Sequence, residues 1–305
     1  MSNDKMVGAL TAVLASAIWG VLPIYWKLLA NIPPVQILAH RILWSFIFAL
    51  LLSVIFGRWD DVKKVFYDKR DLKLIFYASF IITLNWGLYI WAVNSNHILQ
   101  TSMGYYINPL SSVLLGMIVF KEKLNVLQKA AIALAVAGVS ILIFQYGRIP
   151  WVALGLAGTF SIYGVIKKLV KMDPMVGIVF EAGFTTPFAI MYLLYKQNNG
   201  LGIFGNVSTS IFLLVMASGI ITALPLILLA DAAKKIPFST LGLTQYVSPS
   251  LSLLIGVFIY GEDFTTAHLT CFCFIWCGLF LYTLSQTDLA RKRSCKRKAN
   301  VTRHS

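Results

Sequence analysis

Two ionisable side chains stand inside otherwise apolar runs: Arg41, beside His40 in "AHRILWS", and Glu181 in "FEAGFTTP". In hydrocarbon a charge near mid-helix costs roughly 2.5–3.5 kcal/mol, so such residues face a cavity or a partner. An arginine there can bind a substrate or tie helices together. A carboxylate there can carry a coupled proton, or can simply accept a hydrogen bond from a neighbouring helix. An Arg41–Glu181 ion pair is tempting, but each lies about 10 Å deep from opposite faces of a ~30 Å core. A direct bridge therefore needs a tilted or bent helix.

Polar and aromatic candidates cluster in two further places. In "NWGLYIWAVNSNH" (85–97), Asn85 and Tyr89 are four apart and share a helix face that could line a cavity, and Trp86 and Trp91 accompany them. Tyr163, between Ser161 and Gly164, is a weaker member. The other place is written twice: "GYYINPLSSVLLGMIVFKE" (104–122) recurs 140 positions later as "TQYVSPSLSLLIGVFIYGE" (244–262). Pro109 and Pro249 fall near the middle of these segments. Each proline lacks a donor and clashes with the carbonyl four residues back, on Tyr105 or Gln245. A freed carbonyl in hydrocarbon must meet protein, water or ligand. The expectation is two related hinges at mid-depth, with Tyr105, Tyr106, Gln245 and Tyr246 around a substrate. The alternative is a pair of kinks needed only for packing, with Gly116 and Gly256 allowing close helix approach.

Other chemistries find no support. There is no phosphate loop, no metal-ligand spacing and no nucleophile triad, so no catalytic residue, metal or cofactor is expected, and ATP hydrolysis is not. Cys271, Cys273 and Cys277 sit within one apolar block, where they read as small packing residues, and no disulfide framework is implied.

The elements that position these residues follow from composition. Of 305 residues, 58% are hydrophobic and 12% charged, about half the charged share of a soluble domain. Apolar blocks of 18 or more residues read as membrane-spanning helices. Ten are expected, at 6–29, 35–56, 73–93, 99–120, 126–144, 150–166, 174–195, 209–230, 238–260 and 267–284. The first continues through Leu29 and reads as an uncleaved span, although "ASA" at 15–17 resembles a signal-cleavage site. Between spans two and three, Trp59, Val62 and Phe66 share a face, which predicts a short interfacial helix.

The net charge of +14 is unevenly spread. Alternate connectors and the tail hold 22 Lys and Arg, counting Lys167 and Lys168 as connector residues, and the opposite set holds three. That split places both termini in the cytoplasm. The tail run "RKRSCKRK" is expected to lie on anionic lipid headgroups and not to bind nucleic acid.

The echo aligns span four with span nine, so a five-helix unit is written twice. After an odd number of crossings the second copy enters from the opposite side. Glu122 and Glu262 then end their spans on opposite faces. This predicts an all-α integral membrane protein of two inverted units, 1–145 and 146–290, with a basic cytoplasmic tail at 291–305. Inverted repeats are associated with secondary transporters. A passive channel or facilitator, a lipid flippase and a non-transporting membrane scaffold remain open alternatives.

The chain resembles the RarD permeases, a branch of the EamA-type drug/metabolite transporters. The resemblance rests on "SAIWGVLPIYWK" (16–27), "AHRILWS", "NWGLYIWAVN", "GYYINPLSSVLLGMIVFKEKL", "SIYGVIKK" (161–168), "FEAGFTTP" and "QYVSPSLSLLIGVFIYGE". It implies ten helices in two inverted repeats, a bacterial cytoplasmic membrane, no ATPase, and export of a small organic metabolite or drug along a path between the halves. It favours the positions Arg41, Asn85, Trp86, Tyr89, Tyr105, Tyr106, Glu181, Gln245 and Tyr246, which lie in the shared segments. Their expected roles come from the residues themselves: substrate binding for all but Glu181, proton coupling for Glu181, and hinges at Pro109 and Pro249.

Overall fold

The structure is a computed structural model and describes residues 3–65, 67–94, 98–147, 149–261 and 266–285. Glu262, Phe66 and the basic tail lie outside the described residues. The described chain is helical throughout: α1 (Asn3–Leu28), α2 (Pro34–Ile55), α3 (Trp59–Val65), α4 (Lys69–Asn94), α5 (Ile98–Val119), α6 (Val126–Tyr146), α7 (Trp151–Leu169), α8 (Pro174–Asn198), α9 (Thr209–Lys235), α10 (Phe238–Thr244), α11 (Val247–Tyr260) and α12 (Thr266–Ser285). Hydrocarbon leaves a spanning backbone no water to bond, so all-helical structure is what this composition dictates. Taking Phe238–Tyr260 as one, nine helices among the described residues are long and apolar enough to span, and Met103–Val119 is a shorter apolar stretch. The protein is a multi-pass membrane protein.

Local signals set the helix ends. Asn125 and Gln128 form a reciprocal capping box at α6. Asp173 caps α8 ahead of Pro174 in the first turn. Gly147 ends α6 in the left-handed region at φ 71°. α3 forms as the charge and apolar pattern predicts, but it buries Val62 and Val65 against Val176 of α8, while Trp59 stays half exposed.

Two expectations need correction. α5 runs unbroken through Pro109, whereas the segment around Pro249 is interrupted at Gln245 and Tyr246, between α10 and α11. The two proline segments are therefore not equivalent. Nor is the Gln245 carbonyl free, since it accepts from the Ser248 N–H at 3.2 Å. The tight turn recovers the bond that Pro249 cannot make. The second correction concerns Lys167 and Lys168, which lie inside α7 and not in a connector.

Helix pairing has a regular pattern. α6 packs on α12, α5 on α7, α2 on α8 and α9, α1 on α9 and α11, α5 on α10, and α4 on α7 and α8. The α6–α12 contact is close at two glycines 140 positions apart. A Cβ on Gly138 would stand 3.0 Å from the Cys271 carbonyl oxygen, and one on Gly278 would stand 2.7 Å from that of Ala131. Cys271 and Ala131 are themselves 140 apart. Ser112 and Ser252, again 140 apart, reach α7 through Ser161 at 3.2 Å and α1 through the Gly20 carbonyl at 3.0 Å.

Candidate functional site

The interior polar groups form two layers joined by a narrow cavity between α2, α4, α8 and α9. Ser45, Trp86, Glu181, Thr185 and Thr222 line it, with Ile82 and other apolar side chains.

One layer belongs to Arg41. Its Nε donates to Thr222 Oγ1 at 3.0 Å. The guanidinium lies over two indoles, with its carbon 4.6 Å from the Trp86 ring centre and 5.1 Å from that of Trp26. Arginine's flat, weakly hydrated group suits such stacking. Tyr25, Tyr89 and Tyr105 stand within electrostatic reach of it. Tyr89 and Tyr105 meet edge to face at 6.3 Å. They are 38% and 52% exposed.

The other layer belongs to Glu181, which is 4% exposed. One carboxylate oxygen accepts from Tyr163 Oη at 2.9 Å and the other from Lys167 Nζ at 2.8 Å. Lys167 is also buried, so this is a desolvated ion pair. Glu181 and Arg41 are not paired directly. Each lines or borders the same cavity from a different depth, as the spacing along their helices requires.

The remaining sequence candidates are distributed more widely. Asn85 donates to the Leu156 carbonyl and to Thr159 Oγ1, both at 2.8 Å, so its amide ties α4 to α7. Gln245 accepts through its side-chain oxygen from Asn108, which also accepts from Ser161 at 3.1 Å. The two proline segments thus meet through an Asn–Gln contact. Tyr106 and Tyr246 instead turn into the core formed with α6 and α12, where Tyr106 lies edge-on to Phe272 at 5.7 Å. Neither tyrosine is among the cavity-lining residues. Trp91 packs against Trp151 at 5.6 Å.

Sequence reasoning passed over Thr222, Ser45, Thr185, Asn108, Lys167, Tyr25 and Trp26. Asn108 carried a signal, a polar side chain directly before the mid-span proline. The Ser and Thr residues carried none, because hydroxyls are common in spans and most bond their own helix.

The end of the bundle where α1 begins is tied shut. Glu122, in the α5–α6 connector, accepts from the backbone N–H groups of Phe238 and Ser239 at 2.6 and 2.8 Å. It thereby satisfies the start of α10, which has no side-chain cap of its own. Lys168 bridges Glu122 at 3.3 Å to the Ile236 carbonyl at 2.9 Å. Burial raises the Glu122 carboxyl, but bonds from Ser239 and Phe238 and the nearby Lys168 outweigh it and hold the group below its ordinary value. Asp71 accepts from the Lys171 and Met172 N–H groups at 2.7 and 2.9 Å, and Lys234 donates to the Met172 carbonyl. Together these contacts join α4, α5, α7, α9 and α10 at one end, while Arg41, Tyr89 and Tyr105 keep part of their surface exposed toward the other.

Residues 6–144 match the EamA-like transporter family. The chain is 42% identical over 290 residues to the "Uncharacterized transporter YojE" of Bacillus subtilis, covering 93% of this chain and 96% of that one. It is 36% identical over 286 residues to the "Protein RarD" of Salmonella typhi, covering 94% and 97%. A solved crystal structure shares the fold at TM-score 0.69 and 19% identity, covering 96% of this chain and 99% of that one. The cavity between packed spans thus sits in a chain that belongs to the EamA-like transporter family, alongside the RarD proteins.

Proposed function

We propose that this protein is a secondary transporter of the bacterial cytoplasmic membrane, exporting small organic metabolites or drugs by alternating access. The observation that carries the reading is a narrow, mainly apolar cavity deep among the spans that holds Glu181, Thr185 and Thr222, in a bundle tied shut at one end while Arg41, Tyr89 and Tyr105 keep exposed surface toward the other. A site reached from one side at a time is what alternating access needs. With both termini cytoplasmic, as the basic residues argue, the accessible end faces outward.

The helix contacts support two inverted five-helix units. Exchanging α1, α2, α4, α5 and α6 for α7, α8, α9, α10–α11 and α12 leaves the main pairings unchanged. The Gly138 and Gly278 contacts exchange in the same way. Closing the accessible end then means forming, at that end, contacts related to those that Glu122 and Lys168 make at the other. Arg41, Trp86 and Glu181 border the proposed substrate path, with Tyr89 and Tyr105 at its mouth. Proton coupling through Glu181 requires its bond to Lys167 to open during the cycle.

The test is flux into proteoliposomes of purified protein. Uphill accumulation driven by an ion gradient supports the transporter. Downhill flux alone replaces it with a facilitator, and lipid scrambling without solute flux replaces it with a flippase. Removing residues 291–305 is expected to leave flux unchanged, whereas a tail-based scaffold loses its function. An unaltered pH dependence in Glu181→Gln removes the coupling role.

A further inference from the structure

Arg41 is the charged group in this interior that the protein does not neutralise. Among the described residues it has no carboxylate partner. The nearby acids are occupied. Glu181 holds Lys167 and Tyr163, Glu122 holds two backbone amides and Lys168, and Asp71 holds two more amides. The side chains bordering the cavity, Arg41, Lys167 and Glu181, therefore sum to one positive charge.

The geometry of Arg41 matters as much as its charge. The guanidinium carbon lies over the Trp26 and Trp86 rings, and Nε is committed to Thr222. The Nη1 and Nη2 donors have no protein acceptor among the described residues, so the outer edge of the fork is left unused. A half-buried guanidinium whose fork has no acceptor is costly to retain without a counter-charge. Held by two indoles and Thr222, it loses little freedom on binding a two-oxygen anion. The hydroxyls of Tyr89 and Tyr105, at the mouth, are further donors in reach of the same charge.

We infer that the ligand of this site is an organic anion, whose carboxylate or phosphate head is gripped by the Arg41 fork beside Trp86. This rests on the transporter reading for the place of the site, but the anion selectivity is a separate claim. A cationic ligand is repelled by the net charge. A neutral one leaves the fork unmatched.

The experiment measures melting shift and tryptophan fluorescence of purified protein at constant ionic strength, with benzoate, phenyl phosphate, benzyl alcohol and benzylammonium as probes. Benzoate or phenyl phosphate is expected to stabilise the protein, and whichever acts identifies the head group. The neutral and cationic probes are expected to be inert. Arg41→Gln is expected to abolish the anion response. Arg41→Lys keeps the charge but lacks the fork, and is expected to weaken binding roughly tenfold or more. Thr222→Val, which frees Nε, provides a second variant should Arg41→Gln fail to fold, with a several-fold weaker response expected. Equal responses to benzyl alcohol or benzylammonium, silence from both anions, or an anion response that survives Arg41→Gln each overturn the inference. Flux assays on the same preparation keep the two readings apart. Anion binding without flux of any solute sinks the transporter and leaves the anion site, whereas flux confined to cations or neutral solutes does the reverse.

Discussion

Arg41 and Glu181 border one cavity, yet the protein treats them in opposite ways. Glu181 is matched by Lys167 and Tyr163 of α7. Among the described residues Arg41 is matched by no acid and is held instead by two indoles and a threonine. A neutral pair can stay buried with no ligand present, and only a coupling step would need it to open. An unmatched cation is stable only when something else supplies the charge, and a visiting ligand can. The same division separates the two ends of the bundle. The end tied by Glu122, Asp71 and Lys168 has its charges spent, and the end near Tyr89 and Tyr105 has a charge in hand.

The largest way to break this comparison is Lys167→Met, which strands the Glu181 carboxylate. A loss of about 3–5 kcal/mol is expected, read as failure to stay monodisperse in detergent or a steep drop in melting temperature. Lys167→Met with Glu181→Gln is expected to recover most of it. A single variant as stable as wild type would mean that the pair is no more essential than Arg41's missing partner.

Next come the glycines at the α6–α12 crossing. Gly278→Leu and Gly138→Leu are each expected to cost about 1–3 kcal/mol by overpacking, and by similar amounts. Strongly unequal melting shifts would argue against treating the halves as equivalent there.

Glu122→Gln sharpens the contrast between the ends, with an expected cost of about 1 kcal/mol from the lost cap at α10. Because the folded Glu122 value is depressed, its contribution is full above the ordinary carboxylate value. It is lost as pH falls through the lower, folded value. Melting temperature against pH should therefore slope less in Glu122→Gln than in wild type on the acid side.

The smallest effect is expected at α3. Asp61 contacts Lys64 at 3.2 Å and Arg58 at 3.4 Å, and the hydrogen bond from Lys64 leads in holding it below its ordinary value. These groups are solvated, so Asp61→Asn should leave the melting curve unchanged within error.

Much of the site could be read from residue order. Arg41 and Glu181 stand out because charge is rare in apolar runs, and Trp86 lies beside Asn85 in an obvious polar patch. Lys167 was hidden in a basic cluster at a helix end, where lysines usually reach solvent. Burial 3% exposed, against Glu181, depends on which face α7 turns inward. Tyr106 and Tyr246 were prominent for the opposite reason. They repeat, but what repeats is a packing position in the core with α6 and α12.

Hydropathy alone determined that this chain is a helical membrane protein, because a backbone in hydrocarbon must satisfy itself. The 140-residue echo and the placement of basic residues carried the expectation of related halves. Tertiary structure decided what periodicity does not encode. It broke the second proline segment at Gln245 and Tyr246, left the first continuous, and gave Glu122 to the start of α10. It also chose Lys167 over Arg41 as the partner of Glu181. Pairing depends on depth and rotation of packed helices, and those are set by contacts between residues far apart in the chain.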